Sequence, residues 1–344
     1  MRHTFLSLCM TLLSALTAPA AQGFEIESET LYEATTPLRE LKIISTADDD
    51  LFAPVVLAFQ ADNPGVSVRY TVVSSTELMA AIEVEGVPFD IALSSAMDLQ
   101  TKLANDGFTQ PYRSAATASL PDWAKWRDHV FSFTREPATI VVSTAAFEGL
   151  EVPRTRQGLI ALLRDNQDRF QGRVGTYDVR QSGLGYLFAT QDSRSSETYW
   201  RLTEIMGRLG TKLYCCSSEM IRDVSDGRLA LAYNVLGSYA EARKAQGDNI
   251  EIILPEDFAT VMLRTMVIPA NAENPGDAGR FIDHLVTLPE NGGAPRPFPP
   301  IEPAAMNDSA LPRPIRLGPG LLVFLDDLKR QRFLRAWEDA VEQE

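Results

Sequence analysis

Histidine and cysteine are scarce, three of each in 344 residues, and this scarcity closes several routes to chemistry. With only His129 and His284 beyond the first few residues, a serine or cysteine nucleophile has little chance of an imidazole base within reach. The chain has no Gly-x-Ser-x-Gly elbow, no His-Glu-x-x-His pair and no nucleotide phosphate loop. Cysteine and histidine do not recur at metal-ligand spacing, so no metal site and no cofactor is expected. Basic residues are also few, 32 against 46 acidic ones, for a net charge of −14. Nucleic acid rewards a basic surface and is excluded as a partner. Beyond the amino terminus no stretch approaches the roughly 20 apolar residues of a membrane helix. These absences leave a non-enzymatic binding protein as the expectation, although plentiful Asp and Glu leave carboxylate pairs open.

What is present begins with an export signal. Arg2 and His3 precede an apolar run from Phe5 to Leu16, and small residues follow at Ala18, Ala20 and Ala21, which predicts a cleaved leader over 1–21. Cys9 falls inside that leader, so no cysteine remains for lipid attachment and the mature chain is expected free in the periplasm. Cys215 and Cys216 are then neighbours in an oxidising compartment, where a vicinal bridge and a pair of free thiols both stay open.

The hydrophobic patterning alternates strand and helix. Leu41–Ser45, Val66–Val73 and Asp90–Ser94 read as strands, each followed by a helical repeat, which predicts a parallel sheet. Pro54 places the start of the first helix no earlier than Asp50, Ser74 with Glu77 forms a capping box, and Ser95 opens a helix closed at Gly107. After a break through Pro111 and Pro121 the alternation resumes, with strands at Arg173–Tyr177, Leu229–Tyr233 and Ile250–Leu254. The expected division is an N-terminal extension over 22–39, a first lobe over 40–134 plus 256–288, a second lobe over 135–255, a proline-rich strap over 289–320 and a terminal helix from Leu321 over 321–344.

Several segments carry a family resemblance: Leu41-Lys-Ile-Ile-Ser-Thr-Ala-Asp, the Asn63-Pro64-Gly65 turn, Phe89-Asp-Ile-Ala with Ser94-Ser95-Ala96-Met97-Asp98-Leu99, Gly175-Thr-Tyr-Asp and Ala232-Tyr-Asn-Val-Leu-Gly-Ser-Tyr239. In order and spacing, over residues 40–288, the chain resembles bacterial extracellular solute-binding proteins of the ferric-binding class. Within that class it resembles the branch of the phosphoglycerate transport regulatory protein and hexose-phosphate binders. The resemblance implies the α/β, two-lobed type II periplasmic-binding-protein fold with two hinge crossings, expected near Phe133–Pro137 and Leu254–Asp257. It implies a monomer that binds a small-molecule ligand and serves a membrane ABC permease or a sensor kinase. The paired tyrosines of ferric binders fall on Val235 and Leu236 here, so an organic anion is expected ahead of iron, with Tyr233 and Tyr239 keeping iron as an alternative.

In open α/β sheets ligands lie at the carboxyl ends of strands, where helix N-termini offer unpaired N–H groups and partial positive charge. Candidate ligand-binding residues are accordingly Ser45 and Thr46 after the first strand, Ser75 after the second, and Ser94 and Ser95 after the third. In the second lobe they are Tyr177, Asp178, Ser182 and Gly183, with Asn234 and Ser238 after a later strand. Plain helix caps and mutual hydrogen bonds are the competing reading for these hydroxyls. Arg135 and Arg180 are candidate anion contacts or ordinary ion-pair partners, and Trp123, Trp126 and Trp200 are expected in the cores.

Overall fold

The computed structural model describes residues 23–288, Phe298 and 314–343. The expected leader over 1–21 and most of the strap therefore lie outside the described residues. In chain order the strands are β1 (Ser28–Tyr32), β2 (Arg39–Ser45), β3 (Val66–Val72), β4 (Ile91–Ser94), β5 (Thr109–Gln110), β6 (Lys125–Trp126) and β7 (Val130–Ser132). They continue with β8 (Glu136–Ser143), β9 (Val174–Tyr177), β10 (Lys212–Tyr214), β11 (Leu231–Leu236), β12 (Ile250–Ile253), β13 (Val261–Met262) and β14 (Thr265–Pro269).

Two sheets result. The first runs β1-β3-β2-β4-β14-β7-β6, with β5 on β14; the second runs β10-β9-β11-β8-β12, with β13 on β8. β2 pairs in parallel with β3 and β4, as the strand–helix alternation predicts. The sheet is nevertheless mixed, because β14 returns antiparallel to β4 and β7, and β1 adds antiparallel to β3. The N-terminal extension is thus partly sheet: Thr30 and Tyr32 on β1 donate hydroxyl bonds to Asp49 and close that edge.

The hinge lies where strands change sheets. β7 ends at Ser132 and β8 begins at Glu136, so one crossing spans 133–135, while β13 pairs with Glu136 and Pro137 before β14 starts at Thr265. The return crossing is therefore 263–264, later than the expected 254–257. Residues 254–260 remain bound to the second lobe: Glu256 N donates to Arg154 O, Ala138 N to Thr260 O, and Asp257 accepts from Arg156.

Local chemistry explains the helix boundaries. Asp49–Asp62 starts one residue earlier than Pro54 was expected to allow, and the helix keeps Pro54 inside. Ser74 caps Ser75–Met79 by accepting from Glu77 N at 3.2 Å, and the helix widens into a π turn over Ala80–Val84. Met97–Asn105 is capped at Ala96, after Ser95, and ends before Gly107, whose φ of 87° suits glycine. The terminal segment corrects the expected start at Leu321: a 3-10 turn covers Pro319–Phe324, and the α-helix runs Asp327–Val341 from Asp326, whose carboxylate accepts from Lys329 N. It docks on Thr198–Arg208 so closely that a Cβ at Gly207 would meet Ala340 O at 2.3 Å.

Each lobe has its own core. Leu41, Ile43, Phe52, Phe59, Tyr70 and Phe281 fill the first; Ile140, Leu159, Phe170, Leu202 and Leu231 fill the second. A further cluster joins the lobes, including Val73, Leu78 and Met97 from one with Leu184, Phe188 and Leu236 from the other.

Candidate functional site

Between the lobes lies a cavity of about 50 Å³, and six helices begin on its wall. The helices Asp49–Asp62, Ser75–Met79 and Met97–Asn105 contribute Asp48, Ser75 and Ser95 from the first lobe. Gly183–Ser195, Ser217–Ser225 and Gly237–Ala245 contribute Ser182, Ser217 and Leu236 from the second. The convergence follows from topology, because each helix leaves a strand end that faces the cleft. Helix starts carry a fraction of positive charge, although some of their N–H groups here are already capped, as Glu77 N is by Ser74 and Gly185 N by Ser182.

The lobes are in contact. Gly183 N donates to Ser75 Oγ at 2.8 Å, Asp48 N donates to Tyr239 Oη at 3.2 Å, and Thr76 Oγ1 donates to Gln181 O at 3.3 Å. A Cβ on Gly183 would lie 2.7 Å from both Leu99 Cδ1 and Ser75 Oγ, so this approach needs glycine. On the second-lobe wall Tyr177 Oη shares a hydrogen bond with Ser217 Oγ, which also accepts from Leu236 N at 3.0 Å. Cys215 and Cys216 line the cavity as a vicinal disulfide with Cα atoms 3.8 Å apart.

Among the described residues no lysine or arginine lines this cavity, and its charged residues are Glu27 and Asp48. Burial pushes the Asp48 carboxyl up from its ordinary range, against the opposing effects of a bond to Ser218 and the field of Arg264. Burial and the neighbouring Asp48 raise Glu27. Burial also raises the phenols of Tyr177 and Tyr239, so both stay protonated.

The structure brings Thr46, Ser75, Ser95, Tyr177 and Ser182 to the cavity wall. Several of their hydroxyls already serve the backbone: Ser95 N donates to Thr46 Oγ1, and Gly185 N to Ser182 Oγ. The other candidates sit elsewhere. Ser45 Oγ accepts from Ala47 N and Tyr70 Oη, and Ser94 Oγ accepts from Ala96 N. Asp178 is clamped by Arg180; burial works against the charged form, but the Arg180 bonds prevail and hold the carboxyl below its ordinary range, which favours the ionised form. Gly183 walls a neighbouring cavity. Asn234, at a φ of 63°, donates to Asp192 in the second-lobe core, and Ser238 donates to Glu136 at the hinge.

Sequence reading passed over Glu27, Ser217 and Ser218 as site residues. Ser217 and Ser218 obey the same strand-end rule, but the three-residue strand Lys212–Tyr214 ahead of them is too short to announce itself. Nothing local marks Glu27, which arrives from the extension beside β1. Tyr233 is bonded to Arg156 and Asp192 away from the cavity, and Val235 is buried in β11, so this region presents no adjacent phenols. Among the described residues no group of three or more His, Cys, Asp or Glu could hold a metal, and no helix is long and apolar enough to cross a membrane.

Two lobes on two sheets, joined by paired crossings and enclosing a cavity ringed by helix N-termini, define the class of hinged type II periplasmic binding proteins. The family model of bacterial extracellular solute-binding proteins matches residues 44–290, and the chain belongs to that family. It is 32% identical to the substrate-binding protein of an ABC transporter from Agrobacterium tumefaciens, with a TM-score of 0.84 over 91% of this chain and 98% of that one. It is 24% identical over 267 residues to the putrescine-binding periplasmic protein PotF of Escherichia coli, covering 69% of this chain and 71% of PotF. AfuA of Actinobacillus pleuropneumoniae, solved with fructose-6-phosphate, shares the fold at 14% identity and a TM-score of 0.66, over 89% of this chain and 99% of AfuA.

Proposed function

We propose that this protein captures a small carboxylated or phosphorylated anion in the interlobe cavity and hands it to a membrane ABC permease, as a monomer in the periplasm after loss of its leader. It does so by binding alone, without catalysis. The observation that carries the reading is the ring of six helix starts around one cavity, which stabilises negative charge without any basic side chain. Closure then follows from a ligand that contacts both lobes and so binds the closed form more tightly than the open one.

One observation favours a second reading. Asp48 and Glu27 face the same cavity without a lining cation, and an ammonium ligand would satisfy them, in keeping with the putrescine-binding relative. Thermal shift and calorimetry with 3-phosphoglycerate, fructose-6-phosphate, succinate, putrescine and ferric citrate separate these cases, because a true ligand stabilises by mass action. The anion reading expects stabilisation by one of the first three and tighter binding of it by Asp48→Asn. Stabilisation by putrescine alone, lost in Asp48→Asn, would replace it with the amine reading, and ferric citrate alone would restore iron.

A further inference from the structure

Beside the ligand cavity lies a larger one, of about 330 Å³, which the capture mechanism does not use. That volume is within the range of small-molecule sites. Ser182 belongs to both cavities, and the bond from Gly183 N to Ser75 Oγ lies in the wall between them. Its walls come from three places: the π turn Ala80–Val84 and the start of Met97–Asn105 in the first lobe, residues 179–186 in the second, and the carboxyl-terminal segment 325–330.

The lining is half apolar, with Met79, Val84, Leu99, Val179 and Leu325. Among its charged groups two cations are already engaged. Lys102 bonds Glu83 at 2.6 Å and Asp106 at 2.8 Å, while Arg180 bonds Asp178 at 2.8 Å and Glu342 at 2.6 Å. Three charged groups make no ion pair among the described residues: the exposed Asp327, the buried Asp98 and Arg330. Asp98 is only 3% exposed, and among the described residues its carboxylate accepts only from backbone N–H groups, those of Leu99 and of Asp98 itself, with no cation bonded to it. Arg330 lies over the Tyr186 ring, 5.6 Å from its centroid, and makes no ion pair among the described residues. It acts on Asp98 through space without bonding it. A buried carboxyl of this kind is costly unless something supplies a counter-charge.

We propose that this cavity is a second small-molecule site, selective for a zwitterion with an apolar body, in which Asp98 receives the ammonium group and Arg330 the carboxylate. The apolar walls take the remaining part of the ligand. The assignment goes beyond the capture function and holds whichever charge the main cavity takes.

Isothermal titration with L-phenylalanine, 2-phenylethylamine and 3-phenylpropionate tests it on the full mature chain. The measurement is made near pH 8, where Asp98, which burial raises to about 7, is ionised. L-phenylalanine is expected to bind once per chain, with each single-charge analogue weaker by about ten-fold or more. Asp98→Asn keeps the acceptor for Leu99 N, so the fold is retained, as circular dichroism will check. It should weaken L-phenylalanine by about ten-fold and leave 3-phenylpropionate unchanged. Arg330→Ala, at an exposed position, should do the converse with 2-phenylethylamine as the unaffected partner. Absence of saturable L-phenylalanine binding overturns the proposal. So does equal affinity for all three compounds, or full binding by the Asp98→Asn, Arg330→Ala double variant, which would place the ligand elsewhere.

Discussion

Two arginines among the described residues are buried completely, and their surroundings differ between the body of a lobe and the crossing between lobes. Arg156, in the second lobe, spends its donors on Tyr233 Oη at 2.6 Å, Asp257 at 3.0 Å, Phe258 O at 2.6 Å and Asp192 at 3.4 Å. Asp192 in turn accepts from Tyr233, Asn234 and Thr260. Arg264, on the return crossing, meets Glu136 at 3.1 Å and 3.4 Å, while its Nη1 has no hydrogen-bond partner among the described residues. Glu136 also accepts from Thr134 at 2.8 Å and from Ser238, so a single carboxylate ties both crossings to the first turn of a second-lobe helix. A saturated network fixes one geometry, since any displacement strands several buried groups at once. An incompletely saturated one at a crossing has less to lose when strands rotate, which suits a hinge.

The sharpest break in this contrast is Asp192→Ala. It leaves Arg156, Tyr233, Asn234 and Thr260 short of an acceptor, so urea denaturation should show a loss of about 3–5 kcal/mol. Asp98 shows the opposite condition, a buried carboxyl with no bonded cation. Its folded ionisation, raised to about 7, lies above that of the unfolded chain, so the folded state holds the proton longer. The contribution of Asp98 is then full below about pH 4, falls as pH rises to about 7, and is level above that, opposite in sign to carboxylates held low by cations such as Asp178. Asp98→Asn should remove this slope and raise stability near pH 8 by about 2 kcal/mol or more, read from denaturation midpoints across the pH range. Glu136→Gln should cost about 2 kcal/mol, less than Asp192→Ala, because Gln retains one acceptor and Arg264 is already partly unsatisfied. It should also speed amide exchange at residues 133–135 and 263–264.

Gly183→Ala has the smallest effect on the lobes and acts on their approach. Alanine suits the helix there, so unfolding midpoints should change little, but its Cβ collides with Leu99 and Ser75 across the cleft. Small-angle scattering should report a larger radius of gyration than the parent. An unchanged radius would show that Ser75 and Leu99 give way, and that the contact does not limit closure.

Much of the fold was legible because it repeats short-range rules. The strand–helix alternation from Leu41 to Asn105 follows from apolar spacing, and the Ser74 cap follows from one side chain meeting one N–H. The return strand β14 was harder, since nothing local in Thr265–Pro269 says that it lies antiparallel to β4. β1 was missed because its Ser-Glu-Thr-Leu-Tyr is mostly polar and its partner, β3, lies well downstream. The hydroxyl-tipped turns were legible as turns. Whether each hydroxyl faces a ligand or a neighbouring N–H depends on angles that no spacing encodes, which is why Ser94 and Ser95 part company.

By itself, then, the sequence determined the periodicity of the elements and the caps that bound them, which depend on residues a few positions apart, and the acidic balance and scarcity of histidine, which are composition alone. The tertiary structure decided which strands reverse direction, where the chain recrosses the hinge and which six helix starts share one cavity. Those outcomes rest on pairings between distant segments, such as Glu136 with Arg264 and Ser75 with Gly183, whose geometry exists only once both lobes are packed.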